Sequence, residues 1–313
     1  MLFRATTRAD LDRVTGFPVD EPVSMIDADR YLDELGQGMY RPEWTWIAEE
    51  EQRVVGRALW WGQASSAHPV ALDCLHVEAS VGDRVGVAAG LLAAGLRAFA
   101  RDGAPKPPLY NLTLPNGWRD DESVAAAVGW RRSAALAAGL TDEVERLRLE
   151  WAPDDGVPAA GGRLVFSAGT DDEFLDVFRR VAVGSLDIET RRNLAVKGPE
   201  ATARDEMDFY LDCPGERSWW RLAHTQDGTL AGLAIPSATP YNRNVGYLGV
   251  VPDLRGRRYI DDLLAEITRF HAEQGADLIT ATTDTTNAPM AAAFARAGYR
   301  TAQIRLLYSA PVS

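Results

Sequence analysis

Cysteine is almost missing from this chain of 313 residues: Cys74 and Cys213 are its only examples. They lie in different halves with no metal-ligand spacing around them, which argues against a disulfide framework and against a zinc site, so no metal is expected. No stretch approaches the length of a membrane span, and the N-terminal MLFRATTRADLD carries charges throughout where a signal peptide has an apolar run. A cytoplasmic protein with no membrane partner is expected. Positive charge is also short, with 33 Lys and Arg against 45 Asp and Glu and a formal net charge of -12. A field of that sign repels polyanions and argues against a nucleic-acid partner. The basic clusters that remain are informative for that reason. The densest one inside a motif holds Arg255, Arg257 and Arg258.

With 46% hydrophobic residues and nine tryptophans, the chain has apolar material for two domains of roughly 150 residues each. The Pro-, Gly- and Asp-rich WAPDDGVPAAGG, Trp151 to Gly162, separates two strand-like runs and reads as a linker. The expected organisation is a first domain over 1–152, a linker over 153–162 and a second domain over 163–313. The halves repeat one order of signals. A short strand and a capped helix open each (LFRATTRADLDRV; RLVFSAGTDDEFLDVFRRV), followed by an aromatic hairpin (EWTWIAEEEQRVVGRALWW; SWWRLAHTQDGTLAGLAIP). An apolar strand then feeds a helix with paired leucines, Leu91-Leu92 and Leu263-Leu264, ending in Gly103-Ala104 and Gly275-Ala276. A further strand, a helix ending in a Gly-aromatic pair (Gly129-Trp130; Gly298-Tyr299) and final strands close each half. Internal duplication accounts for the pattern.

The stretch GVVPDLRGRRYIDDLLAE, Gly249 to Glu266, reads as strand, basic turn and helix. The first N–H groups of a helix have no intrahelical acceptor and carry the positive end of its dipole, so they attract anions. Arginines in the turn add charge-assisted bonds to phosphate. A solvated basic turn that merely starts a helix is the competing reading of these residues taken alone.

Together with the strand and helix downstream of it, this stretch resembles the GNAT superfamily of N-acyltransferases. Val250 and Pro252 occupy the strand end, Arg255 fills the leading Arg/Gln of the Arg/Gln-x-x-Gly-x-Gly/Ala motif, and TATTDTTNAPMAAAFARAGYR is similar to the family's next strand and helix. The two-domain arrangement resembles tandem acyltransferases of the mycothiol synthase type. The resemblance implies a mixed α/β fold, two tandem domains each with a mostly antiparallel sheet flanked by helices, in which the C-terminal copy carries the chemistry and the N-terminal copy is degenerate. It implies transfer of an acyl group from a pantetheine thioester to an amine of a small molecule by direct attack. The donor is acyl-CoA or a phosphopantetheine arm on an acyl carrier protein, whose acidic surface suits the basic turn. A non-catalytic acyl-CoA binding or sensing protein is the alternative. Two departures stand out: Arg258 and Ile260 replace the motif's small residues, and in the first half Asp83 takes the Arg/Gln place while Gly86 and Ala88 supply the small ones.

By the resemblance, Val250, Val251, Arg255, Gly256, Arg257, Arg258, Tyr259 and Ile260 contact the donor, with a backbone N–H near Val250 polarising the carbonyl. A bulge is expected there, which Gly249 would permit. Asn287 would bond the pantetheine arm or cap a helix. The tyrosine that commonly protonates the thiolate, four residues before the Gly of the Gly-aromatic pair, is here Phe294, so Tyr247 is the first substitute. Asp284, at a strand end, is either the base or a cap. Asp187 and Glu189, with Arg191 or Arg192 as basic partner, suit a cationic acceptor or the start of a helix. Cys74 and His76 share a strand face and read as half-buried strand residues.

Overall fold

In the second half, Leu164–Ser167 forms a strand and Thr170 caps the helix after it in a capping box with Glu173, satisfying donors that the first turn leaves free. The computed structural model describes residues 1–19, 21, 23, 24, 26–159 and 161–311; Ala160 of the expected linker and the last two residues of the expected second domain lie outside them. Two compact units are present, one of Met1–Glu145 with Ile304–Pro311 and one of Arg146–Gln303.

Unit 1 runs β1 (Leu2–Ala5), α1 (Leu11–Thr15), α2 (Ala28–Gly36), β2 (Thr45–Glu50), β3 (Arg53–Trp61), β4 (Ala71–Val77), α3 (Arg84–Arg101), β5 (Leu109–Pro115) and α4 (Glu122–Ala137). Unit 2 takes β6 (Asp142–Trp151) from Arg146 onward, then β7 (Leu164–Ser167), α5 (Asp171–Ala182), α6 (Ile188–Asp212), β8 (Arg221–Thr225), β9 (Leu230–Ala238), β10 (Arg243–Val250), α7 (Tyr259–Glu273), β11 (Ile279–Asp284) and α8 (Ala288–Arg296). The last strand, β12 (Arg300–Ser309), lies from Ile304 onward in unit 1, beside β5. Strand order is β1-β2-β3-β4-β5-β12 in unit 1 and β6-β11-β10-β9-β8-β7 in unit 2.

The duplication read from the sequence is present in the backbone: β1 to α4 and β7 to α8 share the same succession of strands and helices. Registers agree as well. Gly56 faces Val77 across β3 and β4, and Gly232 faces Val250 across β9 and β10, with one register shift in each pair. Leu91, Leu92, Leu263 and Leu264 are all buried at matching places on α3 and α7. α4 runs past its expected end. Gly129-Trp130 does not end it, because the alanine-rich run beyond contains no breaker and a mid-helix glycine costs only about 1 kcal/mol; the helix reaches Ala137, and Gly139 (φ 89°) is the counterpart of Gly298 (φ 87°). Trp151, Phe174, Phe178, Trp220, Leu264 and Phe294 belong to the core of unit 2. Among the described residues no helix is long and apolar enough to cross a membrane.

Candidate functional site in unit 2

β10 and β11 are parallel neighbours for two residues only, Arg243 with Ile279 and Asn244 with Thr280. β10 then bulges at Gly246, where its register with β9 shifts between Val245 and Tyr247. A bulge bends its strand, and here the bent strand parts from β11, so residues 247–250 form one side of an opening within the sheet. The bulge sits three residues before the expected place. Gly249 is small for a different reason: a side chain there would run into Val181 of α5.

Beyond Val250 the chain makes a short 3-10 turn, Pro252–Leu254, and reaches α7 through Gly256 (φ 78°) and Arg258 (φ 61°). Arg258 thus occupies the left-handed conformation that suits the motif's glycine. Gly256, Arg257 and Arg258 are exposed, and Tyr259 and Ile260 half-buried. Arg163 holds this turn from behind, donating to the Arg257 and Arg258 carbonyls at 2.9 Å each and pairing with Asp262. Val251 is committed to β9, its N–H donating to Ala231 O at 2.9 Å.

Arg255 is brought to the turn but faces the protein. Its Nε donates to Val250 O (3.0 Å), Nη1 to Gly184 O (2.9 Å) and Nη2 to Val181 O (2.7 Å). These bonds fasten the corner after α5 to the end of β10. The Arg258 side chain pairs with Asp261 on the surface at 3.2 Å, a contact worth under about 1 kcal/mol. A non-glycine residue in that conformation costs roughly 1–2 kcal/mol. Arg258→Gly is therefore expected to hold stability level or raise it by up to about 1 kcal/mol in urea unfolding, after the loss of unfolded-chain restraint is counted. A clear loss would assign the guanidinium a contact of greater value.

An acidic wall adjoins the opening. α6 is two helices folded across Gly198 (φ 76°), with Pro199 starting the second, where its missing N–H costs nothing. The fold brings residues distant in sequence together. Asp187 caps the first helix by accepting the Thr190 N–H at 2.7 Å. Asp284, buried at 1% exposure, accepts the Ile188 N–H at 2.7 Å and is bonded at 2.8 Å by Arg146 of β6. Arg146 also lies 3.7 Å from Asp187 and 3.5 Å from Glu189. The basic partner of the two acids is thus Arg146, brought in by β6 pairing with β11, and not Arg191 or Arg192. On the second helix, Tyr210 donates its hydroxyl to the bulge carbonyl of Gly246 at 2.9 Å and its ring lies 5.8 Å from that of Tyr247. One turn earlier stands Glu206, which the sequence reading missed. Burial, then repulsion from Asp187 and Glu189, push its carboxyl up to about 7 against the partial relief of Arg146. Burial, then Glu206 and Asp187, likewise raise the Tyr247 hydroxyl.

A parted strand pair, an exposed helix-opening turn and a carboxyl poised near neutrality suit transfer chemistry on a phosphate-bearing carrier. Residues 187–299 match the model of the Acetyltransferase (GNAT) family. Over this segment the chain is similar to GNAT acetyltransferases, and it is an acyltransferase. A GCN5-related N-acetyltransferase from Sphaerobacter thermophilus shares its fold at 16% identity and TM-score 0.59, over 98% of this chain and 94% of that one. A glucosamine N-acetyltransferase region of a fungal multi-domain β-N-acetylglucosaminidase aligns at 16% identity and TM-score 0.55, over 98% of this chain and 38% of that one. A tandem GNAT protein of the clavulanic acid biosynthesis pathway aligns at 20% identity and TM-score 0.43, over 100% and 99%. No curated protein matches the chain at a significant level. GNAT enzymes in general draw on acyl-CoA and acylate amines of small molecules or proteins.

The remaining candidates in this acyltransferase are buried or hold helix ends. Phe294 is buried at 2% exposure against Tyr299, with ring centres 5.1 Å apart, so the usual tyrosine place holds no hydroxyl. Asn287 caps α8 by accepting the Met290 N–H at 3.4 Å. In unit 1, Cys74 Sγ meets His76 Nδ1 at 3.1 Å, but burial pushes the thiol up to about 11 and the imidazole down to about 3, leaving both neutral and inert. Among the described residues no group of His, Cys, Asp and Glu is arranged to hold a metal.

Proposed function

We propose that unit 2 transfers an acyl group from acyl-CoA to the amine of a small cationic molecule, by direct attack in a ternary complex. The observation that carries this reading is the parting of β10 from β11 before the exposed turn at Gly256–Arg258. The pantetheine arm would bond to the backbone edge of residues 247–250 that β11 leaves, apart from the Val250 carbonyl that Arg255 holds, and the phosphates would meet the N–H groups opening α7, together with Arg257, Arg258, Tyr259 and Ile260. Arg255 acts as a positioning residue, holding Val250 and the turn. A backbone N–H near Val250 polarises the thioester carbonyl.

On the acceptor side, Asp187 and Glu189 offer negative charge to a cation, and Glu206, raised toward neutral pH, takes the proton that the ammonium must lose before attack. Tyr247, which keeps its proton at ordinary pH, is the donor to the departing thiolate. Asp284 fixes Arg146 and the start of α6, and Asn287 fixes the start of α8 beside the arm. The reading places the protein in the cytoplasm and keeps the resemblance to tandem enzymes of the mycothiol synthase type. An acylated carrier protein is the lesser donor, since Gly256, Arg257 and Arg258 are all exposed and offer more than the single phosphodiester of such an arm requires.

Phe294 favours one second reading, an acyl-CoA binding protein without turnover. The test is free-thiol release from acetyl-CoA, longer acyl-CoAs and an acylated carrier protein across mono-, di- and polyamines and amino sugars. Release from acyl-CoA that depends on a cationic amine is expected. Tight binding of acyl-CoA with no release to any amine would select the second reading.

A further inference from the structure

In unit 1 the same opening exists and is filled from within. β4 and β5 are parallel neighbours at Ala71–Leu109 and Leu72–Tyr110 only, and β4 then shifts register against β3 as β10 does against β9. Arg84, and not Asp83 as the motif alignment has it, is the counterpart of Arg255, because its Nε donates to Val77 O at 3.0 Å as that of Arg255 does to Val250 O, while Asp83 caps α3. Past the parting, Ser24 takes the place of a neighbouring strand: its N–H donates to Thr113 O at 3.3 Å and its Oγ accepts the Thr113 N–H at 3.1 Å. Val23 is fully buried and Ile26 is 7% exposed. From the other side comes Arg131 of α4, at 0% exposure, whose Nε donates to Leu75 O at 3.1 Å. That carbonyl corresponds to Leu248 O on the free edge of β10.

One carboxylate closes the arrangement. Glu21 accepts Arg84 Nη1 and Arg131 Nη1 at 2.7 Å each, and Trp130 Nε1 at 3.3 Å, while both guanidinium groups stack on the Trp130 ring at 4.1 and 4.2 Å. Burial opposes ionisation of Glu21, yet the two arginines hold its carboxyl below the usual range. Arg131 Nη2 is buried with no partner among the described residues. Two guanidinium groups converging on one carboxylate in a desolvated site make a built anion site, and the chain supplies its own anion.

We propose that Glu21 is an internal ligand of a two-arginine carboxylate site in unit 1, which holds Val23, Ser24 and Ile26 in the opening, so that unit 1 admits no thioester donor and the chain binds one. The donor half of this statement rests on the proposed function of unit 2; the internal-ligand half does not.

Two measurements separate them. Amide hydrogen exchange of the full chain with and without saturating CoA should slow peptides spanning residues 247–260 and leave those spanning 72–84 unchanged. Slowing in 72–84, or two CoA bound per chain, would overturn the closure of unit 1, whereas no slowing in 247–260 counts against the reading of unit 2. Independently, Glu21→Ala should lower Tm by roughly 10 °C, because it leaves the buried Arg131, and the half-buried Arg84 beside it, without their carboxylate. Sodium acetate should restore part of that loss at constant ionic strength, with no effect on the wild type. An unchanged Tm, or a loss that acetate does not reduce, would overturn the internal ligand. If Glu21→Ala does not fold, Glu21→Gln, which keeps one acceptor and removes the charge, is read by the same acetate comparison.

Discussion

Glu206→Gln is expected to lower kcat/KM for the amine by about 100-fold or more at pH 7.5, the range ordinarily lost with a general base. The fold should survive, since an amide replaces a half-buried carboxyl of the same shape. The wild-type rate should rise with pH through an apparent value of about 7, set by desolvation and by the charges of Asp187 and Glu189, and this rise should be missing in the variant. Stability supplies a second sign. A carboxyl whose folded-state pKa is raised contributes stability that is fully present below its unfolded value, near 4.5, and lost as pH rises through about 7. Glu206→Gln should therefore gain on the wild type as pH climbs from 4.5 to 8, by an amount on the order of 2 kcal/mol. A variant with full activity and an unchanged pH profile would remove Glu206 from the reaction.

Arg146→Ala is expected to destabilise unit 2 by about 3–5 kcal/mol, the usual cost of leaving one member of a buried ion pair behind. Asp284 is the member left behind: its side chain is 0% exposed and its other oxygen caps α6. Nearby Asp187 and Glu189 would add repulsion once the guanidinium is gone. If the loss is charge burial, Asp284→Asn added to Arg146→Ala should recover a large part of it in denaturant unfolding, because the orphaned charge is then removed as well. A double variant no more stable than Arg146→Ala alone would assign the loss to packing of the arginine stem. Asp284→Asn alone should also lose stability, because it leaves Arg146 without its closest partner.

The order of elements, the duplication and the turn before α7 were legible because each rests on local signals: alternation, caps, Gly and Pro. The opening in the sheet was legible in kind and displaced in position, since Gly246 and Gly249 look alike in sequence and only the register with β9 tells them apart. Arg255 was found but its direction was not, because the carbonyls of Val181 and Gly184 reach it from the end of α5 and the corner after it. Arg146 and Glu206 were missed for one physical reason. Arg146 lies 138 positions from Asp284, and Glu206 meets Asp187 only because the chain reverses at Gly198 and Pro199. Nothing local marks a charge whose partners are assembled by tertiary folding.

The central claim is that the donor's arm runs along the edge of β10 that β11 leaves bare. The most direct measurement is a structure of the chain with a non-hydrolysable acyl-CoA analogue. The arm should lie against residues 247–250, with a phosphate within hydrogen-bond reach of backbone N–H groups between Gly256 and Ile260. An analogue lodged along β4, or phosphates bound away from the start of α7, would contradict it.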